Sequence, residues 1–154
     1  MTQQAPSILW LRRDLRLGDN PALRAACANG GPVIPVFIHD AGVSRLGAAP
    51  AWRLGLSLSD LSETLSAKGS RLILRKGDAL DTLLDLIAET GAENVHWSRL
   101  YDPEAIERDP AVKAALKERG IAAESHNAHL LFEPWTVETQ QGGFYKVYTP
   151  LWRA

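Results

Sequence analysis

Five short β-compatible runs, each parted from the next by a helical stretch, constrain this chain more than any other feature. They are Ile8–Leu11, Val33–Ile38, Arg71–Arg75, Asn94–Ser98 and Ile121–His126. Neighbouring strands joined through helices must run parallel, because an antiparallel partner needs only a tight turn. Ile8-Leu9-Trp10-Leu11 carries no polar break, as a strand covered on both faces requires. With right-handed crossovers the pattern predicts a Rossmann-like α/β fold: a doubly wound five-stranded parallel sheet in the order 3-2-1-4-5, with helices on both faces. Its ligand crevice is expected at the carboxyl ends of the central strands. There the first strand runs into Arg12-Arg13-Asp14-Leu15-Arg16, so functional residues are sought at that end.

The helices are legible in their spacing and caps. Asp19 or Asn20 can cap a helix with Pro21 in its first turn, and Gly30 and Gly31 end it. Pro35 removes a ladder donor, so the second strand is near an edge there or that position is unpaired. Asp40 to Pro50 reads as a loop of small residues. Leu54, Leu58, Leu61 and Leu65 form one face of a helix over 51–68, closed by Gly69. Asp78 caps another that buries Leu80, Leu83, Leu84, Ile87 and Ala88 and stops at Gly91. Pro103 opens the last, which Asp109-Pro110 is expected to interrupt and restart before Gly120. Residues 1–132 read as one α/β domain. The aromatic stretches that follow, Leu130–Trp135 and Gly142–Trp152, have neither helical nor strand period. Residues 133–154 therefore read as the start of a linker into another packed unit, in a chain that stops mid-protein.

A net charge of -1, from 17 Lys and Arg against 18 Asp and Glu, gives no field that predicts nucleic-acid or membrane binding. Cys27 cannot form an internal disulfide; it fits a reducing compartment and is expected as a small buried side chain. The first residues lack a signal-peptide pattern, and no apolar run approaches the ~20 residues of a membrane span. The expectation is a soluble, cytoplasmic protein without a membrane partner.

Most standard chemistries are absent from the motifs. The turn after the first strand is Arg13-Asp14-Leu15-Arg16-Leu17-Gly18, not the Gly-x-Gly-x-x-Gly that brings backbone close to a pyrophosphate. The chain has no phosphate-cradling Gly-x-x-x-x-Gly-Lys-Ser/Thr and no Gly-x-Ser-x-Gly elbow. His126 and His129 could share a metal on a helix, but their segment reads as strand end and loop with no third ligand near, so no metal site is expected. His39 ends the second strand, in the expected crevice.

Trp10-Leu11-Arg12-Arg13-Asp14-Leu15-Arg16 with Asp19-Asn20 resembles the amino-terminal signature of the DNA photolyase and cryptochrome family. Arg53 in Ala51-Trp52-Arg53-Leu54 agrees, as does Tyr145-Lys146-Val147-Tyr148-Thr149-Pro150-Leu151-Trp152, which is similar to that family's entry to its interdomain linker. The resemblance implies an amino-terminal antenna-chromophore domain of a deoxyribodipyrimidine photolyase. In that family a separate helical domain binds FAD and receives the flipped pyrimidine dimer, whose ring is out of reach inside the stack. The chain by itself is then expected to bind no FAD and repair no DNA. Its implied partners are its own helical domain, damaged DNA only through the full-length protein, and a second copy through any bare interface.

The resemblance also implies an antenna crevice, with Arg12, His39, Asp40, Arg53, Leu100 and Asp102 as candidate cofactor-binding residues. Asp102 matches the acidic residue that holds the pterin in folate-binding relatives. Leu100 stands where deazaflavin-binding relatives carry an acid, so methenyltetrahydrofolate is expected over deazaflavin or FMN. Asp102 also suffices as the cap of the helix opened by Pro103, and both roles stay open. Arg12 is balanced between the domain interface and the antenna; Asp14 and Arg16 are expected to tie down the turn, and Trp10 and Trp97 to be core rings. A cryptochrome-type photoreceptor, or a stand-alone nucleotide-binding α/β module, is the alternative reading.

Overall fold

The computed structural model describes residues 4–139 and 141–153. Strand β1 (Ser7–Leu11) leads to α1 (Pro21–Ala28), β2 (Val33–His39), a short α2 (Ala41–Ser44) and a long α3 (Ala48–Ala67). Strand β3 (Ile73–Lys76), α4 (Ala79–Thr90), β4 (Asn94–Ser98), α5 (Pro103–Glu118), β5 (Ala122–His126) and α6 (Tyr148–Arg153) complete the chain. The five strands are parallel, in the order β3-β2-β1-β4-β5. This is the order expected from the sequence, and one that right-handed crossovers from a central first strand allow. None of the described helices is long and apolar enough to cross a membrane.

Every residue of β1 is buried, and its alternation divides the core. Ile8 and Trp10 join Val36, Val95 and Trp97 against Leu83 and Leu86 of α4 and Val112 and Leu116 of α5. Leu9 and Leu11 face the other way, onto Ala22 of α1 and Leu61 and Leu65 of α3. Pro35 lies opposite Leu9, while pairing of β2 with β3 begins one residue later, at Val36. The missing donor thus sits where the outer ladder has not yet started. Asn20 is the cap of α1, its Oδ1 accepting from the Leu23 amide at 3.0 Å. Gly91 closes α4 in the left-handed region at φ 67°, where a Cβ would be strained.

Four local expectations are corrected. Helix α5 runs unbroken through Pro110. Ala105 before the proline and Val112 and Leu116 after it are buried, and Asp109, disfavoured in helical conformation ahead of proline, is held by Arg12 and Arg108. The Asp40–Pro50 loop contains α2, because the Asp40 carboxylate accepts from the Val43 amide at 2.9 Å and caps a turn of small residues. Cys27 is exposed, since α1 buries Ala22 and Ala26 and Cys27 lies about 100° round the helix from Ala26. Among the described residues of the carboxyl-terminal stretch a short helix, α6, forms without a buried residue.

Candidate functional site

At the carboxyl ends of β1, β2 and β4 lies a cavity of about 500 Å³. It opens between the turn after β1, α2, the first turns of α3 and the start of α5. Phe37, Ile38, Val43, Leu46, Leu54 and Leu100 give it an apolar wall. The volume and the mixture of apolar wall and aimed charges are those of a small-molecule pocket.

The floor is a polar network assembled from residues far apart in sequence. Arg12 extends from the end of β1, 8% exposed, and its Nη1 donates to both Asp109 carboxylate oxygens at 2.9 and 2.7 Å. Its Nη2 donates to the Ser98 carbonyl, and its guanidinium lies 4.6 Å from the centre of the Trp10 ring. Burial pushes the Arg12 pKa below its ordinary value, with Asp109 opposing the shift. Arg108 continues the chain of charges, donating to Asp109 at 3.0 and 3.1 Å and to Asp40 at 2.7 Å. Asp14, 1% exposed, accepts from the Arg12 amide at 3.0 Å and the Ser98 hydroxyl at 2.5 Å. A buried carboxylate is tolerable only when satisfied in this way.

Five of the six sequence-predicted residues line this cavity: Arg12, Asp40, Arg53, Leu100 and Asp102. They do not stand alike. Arg12 and Asp40 are committed to ion pairs with Asp109 and Arg108. Asp102 caps α5 through Oδ1, accepting from the Ala105 amide at 3.3 Å, while Oδ2 lies 3.0 Å from an Arg13 nitrogen. Arg53, on the second turn of α3, forms no ion pair among the described residues. His39 is not brought into the cavity. It is exposed beside it, its Nδ1 3.3 Å from the Ser44 hydroxyl, because β2 ends by turning its last side chain outward.

Arg108, Asp109 and Glu104 were not visible as site residues from sequence. Their stretch, Pro103-Glu104-Ala105-Ile106-Glu107-Arg108-Asp109, reads as a solvated helix face, and only the docking of α5 beside β1 aims it at Arg12. The one available signal was Asp109 ahead of Pro110, an acid placed where helical backbone is disfavoured.

With this geometry in place, the relatives decide the family. A family model described as DNA photolyase matches residues 7–154. The chain belongs to the DNA photolyase family. This photolyase-family chain is 50% identical, over 97% of its length, to a deoxyribodipyrimidine photo-lyase of Agrobacterium fabrum, and the match covers 31% of that protein. It is 42% identical to Cryptochrome-2 of Arabidopsis thaliana, over 99% of its own length and 26% of the other. In structure it is similar to a bacterial class III photolyase from Agrobacterium tumefaciens, with a TM-score of 0.94 and 48% identity over 99% of this chain and 32% of that one. An archaeal photolyase from Sulfolobus tokodaii, crystallised with two FAD molecules and taken to imply a novel light-harvesting cofactor, matches with a TM-score of 0.74 and 30% identity, covering 84% of this chain and 31% of that one. The photolyase-family chain thus spans about a third or less of each of these relatives.

A second polar cluster lies away from the cavity, on the sheet face under α1. His96 of β4 is buried; His126 and Glu124 of β5 stand beside it. Sequence spacing paired His126 with His129 and found no third ligand near, whereas the parallel register sets Glu124 opposite His96 and His126 two residues further on, diagonally within reach of His96. Burial lowers the pKa of both His96 and His126, and each is partly restored by Glu124.

Proposed function

We propose that this chain is the antenna-chromophore domain of a deoxyribodipyrimidine photolyase, and that the cavity at the strand ends holds the antenna. The observation that carries the reading is the apolar-walled cavity of about 500 Å³ at the carboxyl end of the central strand, in a chain of this family. The higher identity to the photo-lyase, 50% against 42% for the cryptochrome, favours repair over signalling.

Within the cavity the side chains divide the work. Leu54 and Leu100 supply apolar surface for a flat ring system, and the Arg12–Asp109–Arg108–Asp40 network fixes the floor. Arg53 offers its charge to an anionic tail. Asp102 can accept from a pterin through Oδ2 once Arg13 swings away; that pair is 66% and 32% exposed, and breaking such a pair costs only about 0–1 kcal/mol. Leu100 gives nothing to a deazaflavin that wants a carboxylate there. These features favour methenyltetrahydrofolate over deazaflavin or FMN. The helical partner domain, with FAD, would supply electron transfer to the dimer, and the exposed rings after β5 are the surface proposed to meet it.

The test is an absorption and fluorescence spectrum of the purified chain, as isolated and after incubation with methenyl-folate, a deazaflavin and FMN. A retained, red-shifted folate band, with affinity lowered about 10-fold by Arg53→Ala and by Leu54→Asp, is expected. No retained chromophore in either this chain or the full-length protein overturns the reading.

A further inference from the structure

We propose that His96, Glu124 and His126 form a binding site for one divalent transition-metal ion of the zinc type, separate from the antenna cavity. The parallel register of β4 and β5 places His96 opposite Glu124 and Ser98 opposite His126, so the three side chains rise from one face of the sheet edge. His96 Nδ1 lies 3.2 Å from His126 Nε2 and 4.0 Å from Glu124 Oε2, and all three ligand atoms fall within 4.8 Å of one another. Two nitrogens bound tetrahedrally to zinc stand roughly 3.3 Å apart, so the imidazoles already hold the spacing. Glu124, 61% exposed, has the freedom to close the remaining gap, and a fourth position stays open to water. Two imidazoles and a carboxylate are an established zinc donor set.

Asn29 makes the site more than a chance meeting of side chains. Its amide nitrogen lies 3.0 Å from His96 Nε2 and 3.1 Å from the Ser7 hydroxyl. While that nitrogen donates to Nε2, the proton of neutral His96 sits on Nδ1 and is shared with His126. A half-turn of the amide presents its oxygen to both neighbours instead. Nε2 then carries the proton and donates to Asn29, the Ser7 hydroxyl donates as well, and the Nδ1 lone pair faces His126 and Glu124. A hydrogen bond at the far nitrogen is the usual orienting contact of a metal-bound histidine. The anchor at His96 is nearly fully buried, and the accessible ligands lie on the edge strand β5.

Calorimetric titration of the tag-free chain with Zn²⁺, and visible absorbance with Co²⁺, test this directly. One Zn²⁺ per chain is expected, with a melting temperature raised by about 5–10 °C at 100-fold excess over Kd. His126→Gln and Glu124→Gln should each weaken binding about 10- to 100-fold, while His129→Gln leaves it unchanged. Asn29→Asp, which strengthens acceptance from Nε2–H, should keep or tighten binding, a result that a purely structural role for the cluster does not produce. If His126→Gln does not fold, Glu124→Gln at its exposed position decides alone. Absence of stoichiometric binding, unchanged affinity in Glu124→Gln, or loss in His129→Gln overturns the proposal.

Discussion

Two regions of this molecule carry tryptophans beside arginine, and they have opposite fates. Trp10 and Trp97 pack at 5.8 Å in the core with Arg12 and Arg108 against the Trp10 ring, both arginines tied to the half-buried Asp109 and Asp40. After β5, Leu131, Phe132, Trp135, Phe144, Tyr148 and Trp152 are between 58% and 89% exposed. That stretch is tied back at its start by Arg16, which donates to the Ala128 carbonyl at 2.8 Å, and then at Glu133, which accepts from Arg99 at 2.5 Å and from the Tyr101 hydroxyl at 2.7 Å, with Trp135 leaning on Arg99 and Tyr101. Ring content is not the difference. In the first region each ring sits on a strand with covered faces; in the second even Tyr148 and Trp152, stacked on one face of α6 at 6.1 Å, stay exposed because the helix buries none of its residues.

The largest way to break this contrast is Asp109→Ala, which strands a buried guanidinium. A loss of about 3–5 kcal/mol is expected in urea denaturation, whereas Glu104→Ala, whose partner Arg45 is exposed, should stay within about 0.5 kcal/mol. Asp14→Ala comes next. It unpairs the Arg12 amide and the Ser98 hydroxyl, and should cost about 2–3 kcal/mol in the same assay.

A pH scan sharpens the comparison further. Burial holds His96 and His126 below the ordinary 6.5, so the unfolded chain takes up protons first as pH falls. Stability from these groups is full above about 6.5 and is lost as pH drops through the lower folded values. Glu124, Arg99 and Lys113 set the local field, and in the presence of chelator His126→Gln should flatten the slope. The smallest effects belong to the surface. Trp152→Ala should change stability by less than about 0.5 kcal/mol, and Cys27 should react with a thiol reagent in the native protein without denaturant.

The sequence by itself determined the sheet. Short apolar runs alternating with capped amphipathic helices select a doubly wound parallel sheet and favour the order observed, and Asn20, Asp78, Asp102 and Gly91 mark helix ends through local hydrogen bonds and backbone conformation that need no tertiary context. It also put the cavity at the right end of the right strand. Tertiary structure alone decided which charges meet. Arg12 finds Asp109 97 residues away, and His96 finds His126 30 residues away. It also decided that Pro110 stays helical, that Cys27 faces water and that His39 stays outside the cavity. The reason is physical: caps and periodicities are interactions within a few residues, whereas the partner of a buried charge is set by strand register and helix docking, which no local spacing encodes.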